Sequence, residues 1–347
     1  MMRLSRIAVF SVIVCAVVGL LVMGVSRFPL PEKWSGQSPW SEPATSAQPL
    51  LAQLSSNPVD GDRLLQDVEM LATVRHSEDE RQHARQYILT QLQLAGWHPE
   101  EQIFEASLAG SRVTGVNIIA IKPGRSSDAG TIVLGAHYDS VIGSPGADDN
   151  ASAVAVVLEL ARSLSDVPTH HPLAIALFDL EELGFLGSTA FVQDMGRSLT
   201  IEGAVILEMV GYACHTAGCQ TYPSALPIDP PSDTGDFLAV VGDLGHPFLV
   251  DAFKGNASET NAVEEPQLPP VVTLQVPTFG QMTPDLFRSD HVPFWRHGIG
   301  AVMVTDTANF RNPHYHQPSD RPETLDMEFL KGSAMATLQA IARLLQN

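Results

Sequence analysis

Little in this sequence of 347 residues is basic or thiol-bearing. Three cysteines are too few for a disulfide scaffold or a cysteine-rich zinc module. Lys+Arg number 20 against 39 Asp+Glu, a formal net charge of −19. Such a surface repels phosphates, which argues against nucleic acid and anionic membrane surfaces as partners. Charged residues make up only 17% and hydrophobic residues 44%, a balance that excludes a chain disordered throughout. Collagen-like, coiled-coil and polytopic membrane compositions are absent as well. An acidic globular protein remains, of a length that a single α/β domain with short extensions can fill.

The one long apolar run lies near the start. Arg3 and Arg6 precede Ile7 to Val25, about the length that crosses a bilayer core, and Arg27 follows. A cleaved signal peptide would have a shorter apolar core and an Ala-x-Ala-like exit, whereas this run leaves through Leu21-Val22-Met23-Gly24-Val25-Ser26. Residues 1–30 therefore read as an uncleaved signal anchor with its N-terminus inside. Cleavage downstream of Gly24 is the alternative, and both place the remainder outside the cytoplasm. Residues 31–56, rich in Pro and Ser and without period, read as a tether. Residues 57–347 read as one folded domain.

Within that domain helix and strand patterns alternate. Leu64 to Ala95 carries helical apolar spacing in two stretches, ended by Gly96. Val116–Ile121, Thr131–Ala136, Leu173–Phe178, Ala204–Val210, Phe237–Val241 and Ala301–Thr305 are short apolar runs of strand type. Asp149–Leu164 and Met327–Leu345 read as helices. Near-continuous apolar strands separated by helices imply an α/β fold, a mostly parallel central sheet with helices on both faces. Ligands in such sheets bind beyond the carboxyl ends of the strands.

Polar clusters stand at those ends. Ile132 to Ala136 runs into His137-Tyr138-Asp139, where period-2 geometry puts His137 and Asp139 on one side. Asp139 can then accept the second imidazole proton of a metal-binding His137, although a turn histidine beside a turn aspartate is the plainer reading. Gly146-Ala-Asp148-Asp149-Asn150-Ala-Ser152 precedes a helix, where one acid suffices for a cap. A second raises a repulsion that a cation would relieve. Glu181 and Glu182 follow the buried run ending at Phe178, and buried carboxylates cost several kcal/mol unless paired or metal-bound. A solvated loop pair is the alternative. Glu208 ends another apolar run with no Lys or Arg nearby, which fits a ligand or a half-exposed edge strand. Asn312-Pro-His314-Tyr-His316-Gln-Pro-Ser-Asp320 adds imidazoles in a late loop. Imidazole and carboxylate without thiolate suit zinc, with manganese or cobalt less favoured.

The ordered set of motifs resembles the dizinc exopeptidases of the bacterial leucyl aminopeptidase type, a family that includes glutamate carboxypeptidases, glutaminyl cyclases and the transferrin receptor ectodomain. The resemblance covers roughly residues 60–347. It implies two Zn2+ ions per chain, one held by His137, Asp149 and Glu208 and the other by Asp149, Glu182 and His316. It further implies Glu181 as general base on a shared water and Asp139 as the residue that orients His137. Ala153 stands where many relatives have glycine, and Glu208 is the longer of two permitted carboxylates. The implied partner is a peptide with a free N-terminus, with membrane contact through the anchor alone.

Tyr212, Phe287, Trp295, Phe310 and Tyr315 are candidates for a side-chain pocket, and Ser289-Asp290-His291 for support of the site. A carboxypeptidase or dipeptidase of the family would use Arg288, Arg296 or Arg311 to hold a substrate carboxylate. A glutaminyl cyclase would work with one zinc, and the Gly-Ala-Asp-Asp-Asn-Ala-Ser form is more typical of hydrolases. A receptor-like relative would have lost ligands. Cys214 and Cys219 are expected to form a disulfide in the oxidising compartment to which the anchor sends the domain.

Overall fold

The computed structural model describes residues 50, 54, 59–223, 229–254, 268–277 and 284–346. The expected anchor and tether, residues 1–56, lie almost wholly outside them. Among the described residues no helix is long and apolar enough to cross a membrane.

Helix α1 (Gly61–Leu71) starts where Asp60 Oδ1 accepts the N–H groups of Asp62 and Arg63, and it buries Leu64, Val68 and Leu71 along one stripe. Helix α2 (Glu78–Leu94) opens on a capping box between Ser77 and Glu80. Gly96, with φ of +85°, lets the chain turn out of it. Strands β1 (Glu100–Leu108) and β2 (Ser111–Lys122) form an antiparallel hairpin. Then follow β3 (Thr131–His137), α3 (Ala153–Leu164), β4 (Leu173–Phe178), α4 (Leu186–Met195) and β5 (Ile201–Glu208). The chain continues through β6 (Leu238–Asp243), α5 (Pro247–Lys254), β7 (Val271–Val276), α6 (His291–Arg296), β8 (Ala301–Thr305) and α7 (Met327–Leu344).

The eight strands form one sheet in the order β1-β2-β4-β3-β5-β8-β6-β7. Its centre, β4-β3-β5-β8, is parallel throughout. The expectation of a mostly parallel sheet thus holds at the centre and needs correcting at the flanks. There β1, β2 and β4 pair antiparallel, as do β6 and β8, so the sheet is mixed. Alternate residues of the central strands feed two cores. Leu134, Leu207 and Val304 pack with α1, α2, α3, α5 and α7, whereas Val133, Ile206 and Met303 pack with α4 and α6. Burial on both faces is why these strands read as unbroken apolar runs.

Two boundaries differ from the sequence reading for local reasons. The helix expected from Asp149 becomes regular only at Ala153, because Asp149 (φ −104°, ψ 85°) and Asn150 (φ −135°, ψ 33°) leave helical geometry within the turn Ala147–Ser152. Strand β5 stops at Glu208 rather than Val210, since Met209 takes a left-handed φ of +51°. Both departures fall where the chain presents a carboxylate.

Candidate metal centre

Parallel strands end on the same sheet edge, so the segments leaving β3, β4, β5 and β8 converge. His137 is the last residue of β3 and Glu208 the last of β5. Glu181 and Glu182 follow β4, Asp149 sits in the turn before α3, and His316 lies in the loop after β8. Possible ligand atoms of His137, Asp149 and Glu208 lie within 4.8 Å of one another, and so do those of Asp149, Glu182 and His316. All five expected ligand residues are brought together, in two triads sharing Asp149. His314, the other imidazole of the loop, points away and meets Ser319 Oγ at 2.9 Å.

The spacing fits metal ligation. Four ligands at zinc bond lengths of about 2.0–2.1 Å would sit about 3.3 Å apart at the corners of a tetrahedron. His137 Nε2 lies 3.4 Å from Asp149 Oδ1 and 3.4 Å from Glu208 Oε2. His316 Nε2 lies 3.1 Å from Asp149 Oδ2 and 3.3 Å from Glu182 Oε2. Each Asp149 oxygen therefore serves one triad. Glu182 Oε1 is buried without a hydrogen-bond partner among the described residues, a polar atom that a cation would satisfy. An all-N/O donor set of this kind suits zinc.

The Gly146–Ser152 segment wraps around Glu208. Asn150 Nδ2 donates to Leu207 O at 3.1 Å and its Oδ1 accepts from Met209 N–H at 2.9 Å, so one amide brackets Glu208. Asp148, beside the shared Asp149, faces the other way. It accepts from Gly211 N–H at 2.9 Å and Asn312 Nδ2 at 2.8 Å, tying the Glu208 and His316 loops together. Neither aspartate caps α3, whose N-terminal Ser152 makes no side-chain cap bond. Asp320 accepts the N–H groups of Asp148 and Asp149 at 2.9 and 3.1 Å. Asp139 Oδ1 lies 3.4 Å from His137 Nδ1, and its two oxygens accept the N–H groups of Glu181 and Glu182 at 3.0 and 3.2 Å. One carboxylate thus sets both neighbouring glutamates.

The plainer readings of these residues fail on burial and topology. Glu208 ends a central strand between β3 and β8, not an edge, and Glu181 is 7% exposed, not a solvated loop residue. Burial pushes the Glu181 carboxyl well above its ordinary range, with His137 opposing and Glu208, Asp290 and Glu182 adding repulsion. Burial likewise raises Glu182 to about 7, with Asp149 the next cause. Burial opposes the charge on His316, yet Asp149 and Glu182 outweigh it and hold that imidazole at about 10. Asp149 is held low despite burial, by His137 and His316. Acids outnumber the imidazoles, so the cluster is short of positive charge.

Of the Ser289-Asp290-His291 cluster expected to support the site, Ser289 does so, its Oγ donating to Glu208 Oε2 at 2.6 Å. Its neighbours Asp290 and His291 are fully buried. Asn150, Asp148 and Asp320 were missed as loop ties; their one sequence signal is that each lies within four residues of a ligand. Beside Glu208 a cavity of about 110 Å³ opens, walled by Val241, Leu274, Met303, Phe310 and Tyr315, with Arg288 at its rim. Of the five aromatics considered for such a pocket, Phe310 and Tyr315 line it. Phe287 and Trp295 pack instead with the α4/α6 core, and Tyr212 lies edge-on to His314. Arg311 is buried on Gln220 Oε1 and Phe237 O, which removes it as a carboxylate holder. Cys214 and Cys219 are joined in a disulfide on the loop after β5.

The chain is similar to known proteins in sequence and in fold. Residues 117–227 and 238–341 match peptidase family M28. The chain is 32% identical to Escherichia coli YfbL over 58% of its own length and 63% of that protein. It is 31% identical to Bacillus subtilis aminopeptidase YwaD, over 63% of its length and 42% of that protein. It thus spans about two fifths to three fifths of the length of these relatives. An aminopeptidase from Aneurinibacillus sp. strain AM-1 superposes with a TM-score of 0.64 at 18% identity, covering 85% of this chain and 96% of that one.

Proposed function

Because the chain belongs to peptidase family M28, we propose that it is a zinc-dependent aminopeptidase that removes N-terminal residues from peptides. The observation that carries this reading is the pair of donor triads sharing Asp149, His137–Asp149–Glu208 and Asp149–Glu182–His316. Bound there, two zinc ions would bring the pKa of a water toward neutrality and polarise the scissile carbonyl.

The protein's own groups do the remaining work. Glu181 belongs to neither triad, and Asp139 holds its backbone N–H. It is placed to take the proton of the attacking water and return it to the leaving amine. The excess of carboxylate over imidazole supports a cationic amine as the substrate group that docks beside the centre. The apolar walls of the cavity next to Glu208 support an apolar N-terminal side chain. An uncleaved anchor with the domain outside the cytoplasm remains part of the proposal, and the Cys214–Cys219 disulfide supports an oxidising compartment.

A second reading, a dipeptidase or carboxypeptidase, rests on Arg288, the one cation at the pocket rim among the described residues. Its guanidinium is already engaged with Asn309 Oδ1 and Tyr315 OH at 2.9 and 3.0 Å, which favours the aminopeptidase. The test compares aminoacyl chromogenic substrates with N-blocked, C-terminally free and N-terminal glutaminyl ones, before and after zinc is stripped and restored. Zinc-dependent release from free-amine substrates alone is expected. Cleavage confined to N-blocked peptides with a free carboxylate, or cyclisation of the glutaminyl substrate, would replace the reading.

A further inference from the structure

Arg75 lies in the link between α1 and α2, upstream of the residues that match the family. It is 1% exposed, yet among the described residues it makes no ion pair with a carboxylate. Its guanidinium N–H groups go to main-chain carbonyls. Nε donates to Tyr138 O at 2.7 Å, Nη1 to Pro145 O at 2.6 Å, Thr73 O at 2.7 Å and Leu71 O, and Nη2 to Gly146 O at 2.9 Å. The backbone joins in, since Arg75 N–H donates to Ser140 Oγ at 3.0 Å and Ser140 N–H to Arg75 O at 3.3 Å.

Two of the segments so gripped carry the metal centre. Tyr138 separates His137 from Asp139, and Gly146 stands three residues before Asp149. Gly146 itself has φ of +61°, and a Cβ there would come within 2.2 Å of Asp149 O and 2.8 Å of Arg75 Nη2. The glycine thus lets the guanidinium close against the turn that presents the shared aspartate. The charges of Asp149, Asp139, Asp320 and Glu182 all act on the cation, and among the described residues it bonds none of them. An arginine buried this way usually seeks a carboxylate. Spending its donors on carbonyls leaves the acids free for another partner.

We propose that Arg75 is a positioning residue of the metal centre, locking the His137–Asp139 strand end to the Gly146–Asp149 turn and placing a fixed positive charge behind the ligand carboxylates. This rests on the zinc aminopeptidase reading. It acts on zinc affinity and on turnover rather than on the apolar pocket, which is walled by β6, β7 and β8 on the other side of Glu208.

The test uses the full chain with Arg75→Met, Arg75→Lys and, as a control, Arg162→Met, which breaks a buried ion pair with Asp67 away from the centre. Zinc affinity by chelator competition, fraction folded, kcat and KM are measured for each. Substitution of groups that orient ligands costs about 10–100-fold in metal affinity or activity. Arg75→Met is therefore expected to bind zinc at least about tenfold more weakly and to lose kcat with KM nearly unchanged. Arg75→Lys, which keeps the charge with fewer donors, should recover part of both. Arg162→Met should lose stability and keep its zinc affinity.

Wild-type zinc affinity in folded Arg75→Met would overturn the proposal, as would an equal loss in Arg162→Met. If Arg75→Met does not fold, Arg75→Lys decides; if neither folds while Arg162→Met does, Arg75 serves the fold and the proposal falls. A wild-type protein that binds zinc but cleaves no peptide would sink the aminopeptidase reading alone, since the affinity comparison still stands. One that binds no zinc would overturn both.

Discussion

Two clusters of buried acids in this molecule are treated in opposite ways. In the helical layer, Asp67 and Glu159 are almost fully buried and are met by arginines from neighbouring helices. Arg162 reaches Asp67 at 2.6 Å and Arg63 reaches Glu159 at 2.6 Å, while Tyr87 OH donates to Asp67 at 2.6 Å. At the strand ends, Asp149, Glu182 and Glu208 face one another and two histidines, and among the described residues no arginine pairs with them. Buried charge is tolerated only when compensated. The first cluster is complete within the chain, whereas the second calls for a cation from outside. That contrast separates acids that hold the fold from acids placed to hold a cation.

The sharpest way to break the contrast is at the shared ligand. Asp149→Asn removes one carboxylate from both triads, so zinc content should fall for both positions and turnover should drop to background. Elemental analysis beside activity checks this, and full zinc content in that variant would mean Asp149 is not shared. Glu159→Gln attacks the other cluster. It should cost about 3 kcal/mol of stability, the low end for a broken buried pair because Arg63 reaches solvent. Zinc content should stay unchanged, and denaturant unfolding with elemental analysis tests both halves.

A smaller effect is expected at the α7 cap. Asp326 accepts from Phe329 N–H at 3.0 Å and faces His215 Nε2 at 3.0 Å. Burial works against its charge, but His215 and the helix N–H groups hold its carboxyl below the ordinary carboxylate value. A depressed folded pKa contributes stability that is present above the unfolded value and is lost as pH falls through the folded one. Asp326→Ala should therefore cost about 1 kcal/mol near neutral pH. The difference from wild type should vanish in acid, as thermal melts across pH would show.

Much of the centre was legible in the sequence because charge at the end of a buried strand is costly, and the costly residues are the ones gathered into the two donor triads. His137, Glu182 and Glu208 follow apolar runs that pack on both faces. The parallel centre of the sheet was legible for the same reason. Strand β1 was not, because it is an edge strand with only Phe104 buried and no apolar run to mark it. Asn150, Asp320 and Arg75 were illegible as supports because their partners lie far along the chain or are main-chain atoms, which no side-chain pattern records. Three of the five pocket aromatics were misplaced, since a ring that fills a core and one that lines a cavity look alike in sequence.

The division of labour between Glu181 and Glu182 is the most direct test of the whole account. The two are neighbours on one turn, both set by Asp139, yet only Glu182 reaches a donor triad. The measurement is zinc content beside turnover for purified Glu181→Gln and Glu182→Gln. Glu181→Gln should keep its zinc and lose rate by about 10²–10⁴-fold, the range for a general base. Glu182→Gln should lose zinc, because a neutral amide oxygen is a far weaker ligand than a carboxylate. Zinc lost from Glu181→Gln and kept by Glu182→Gln would reverse the two roles, and full activity in both variants would contradict the metal-centred account altogether.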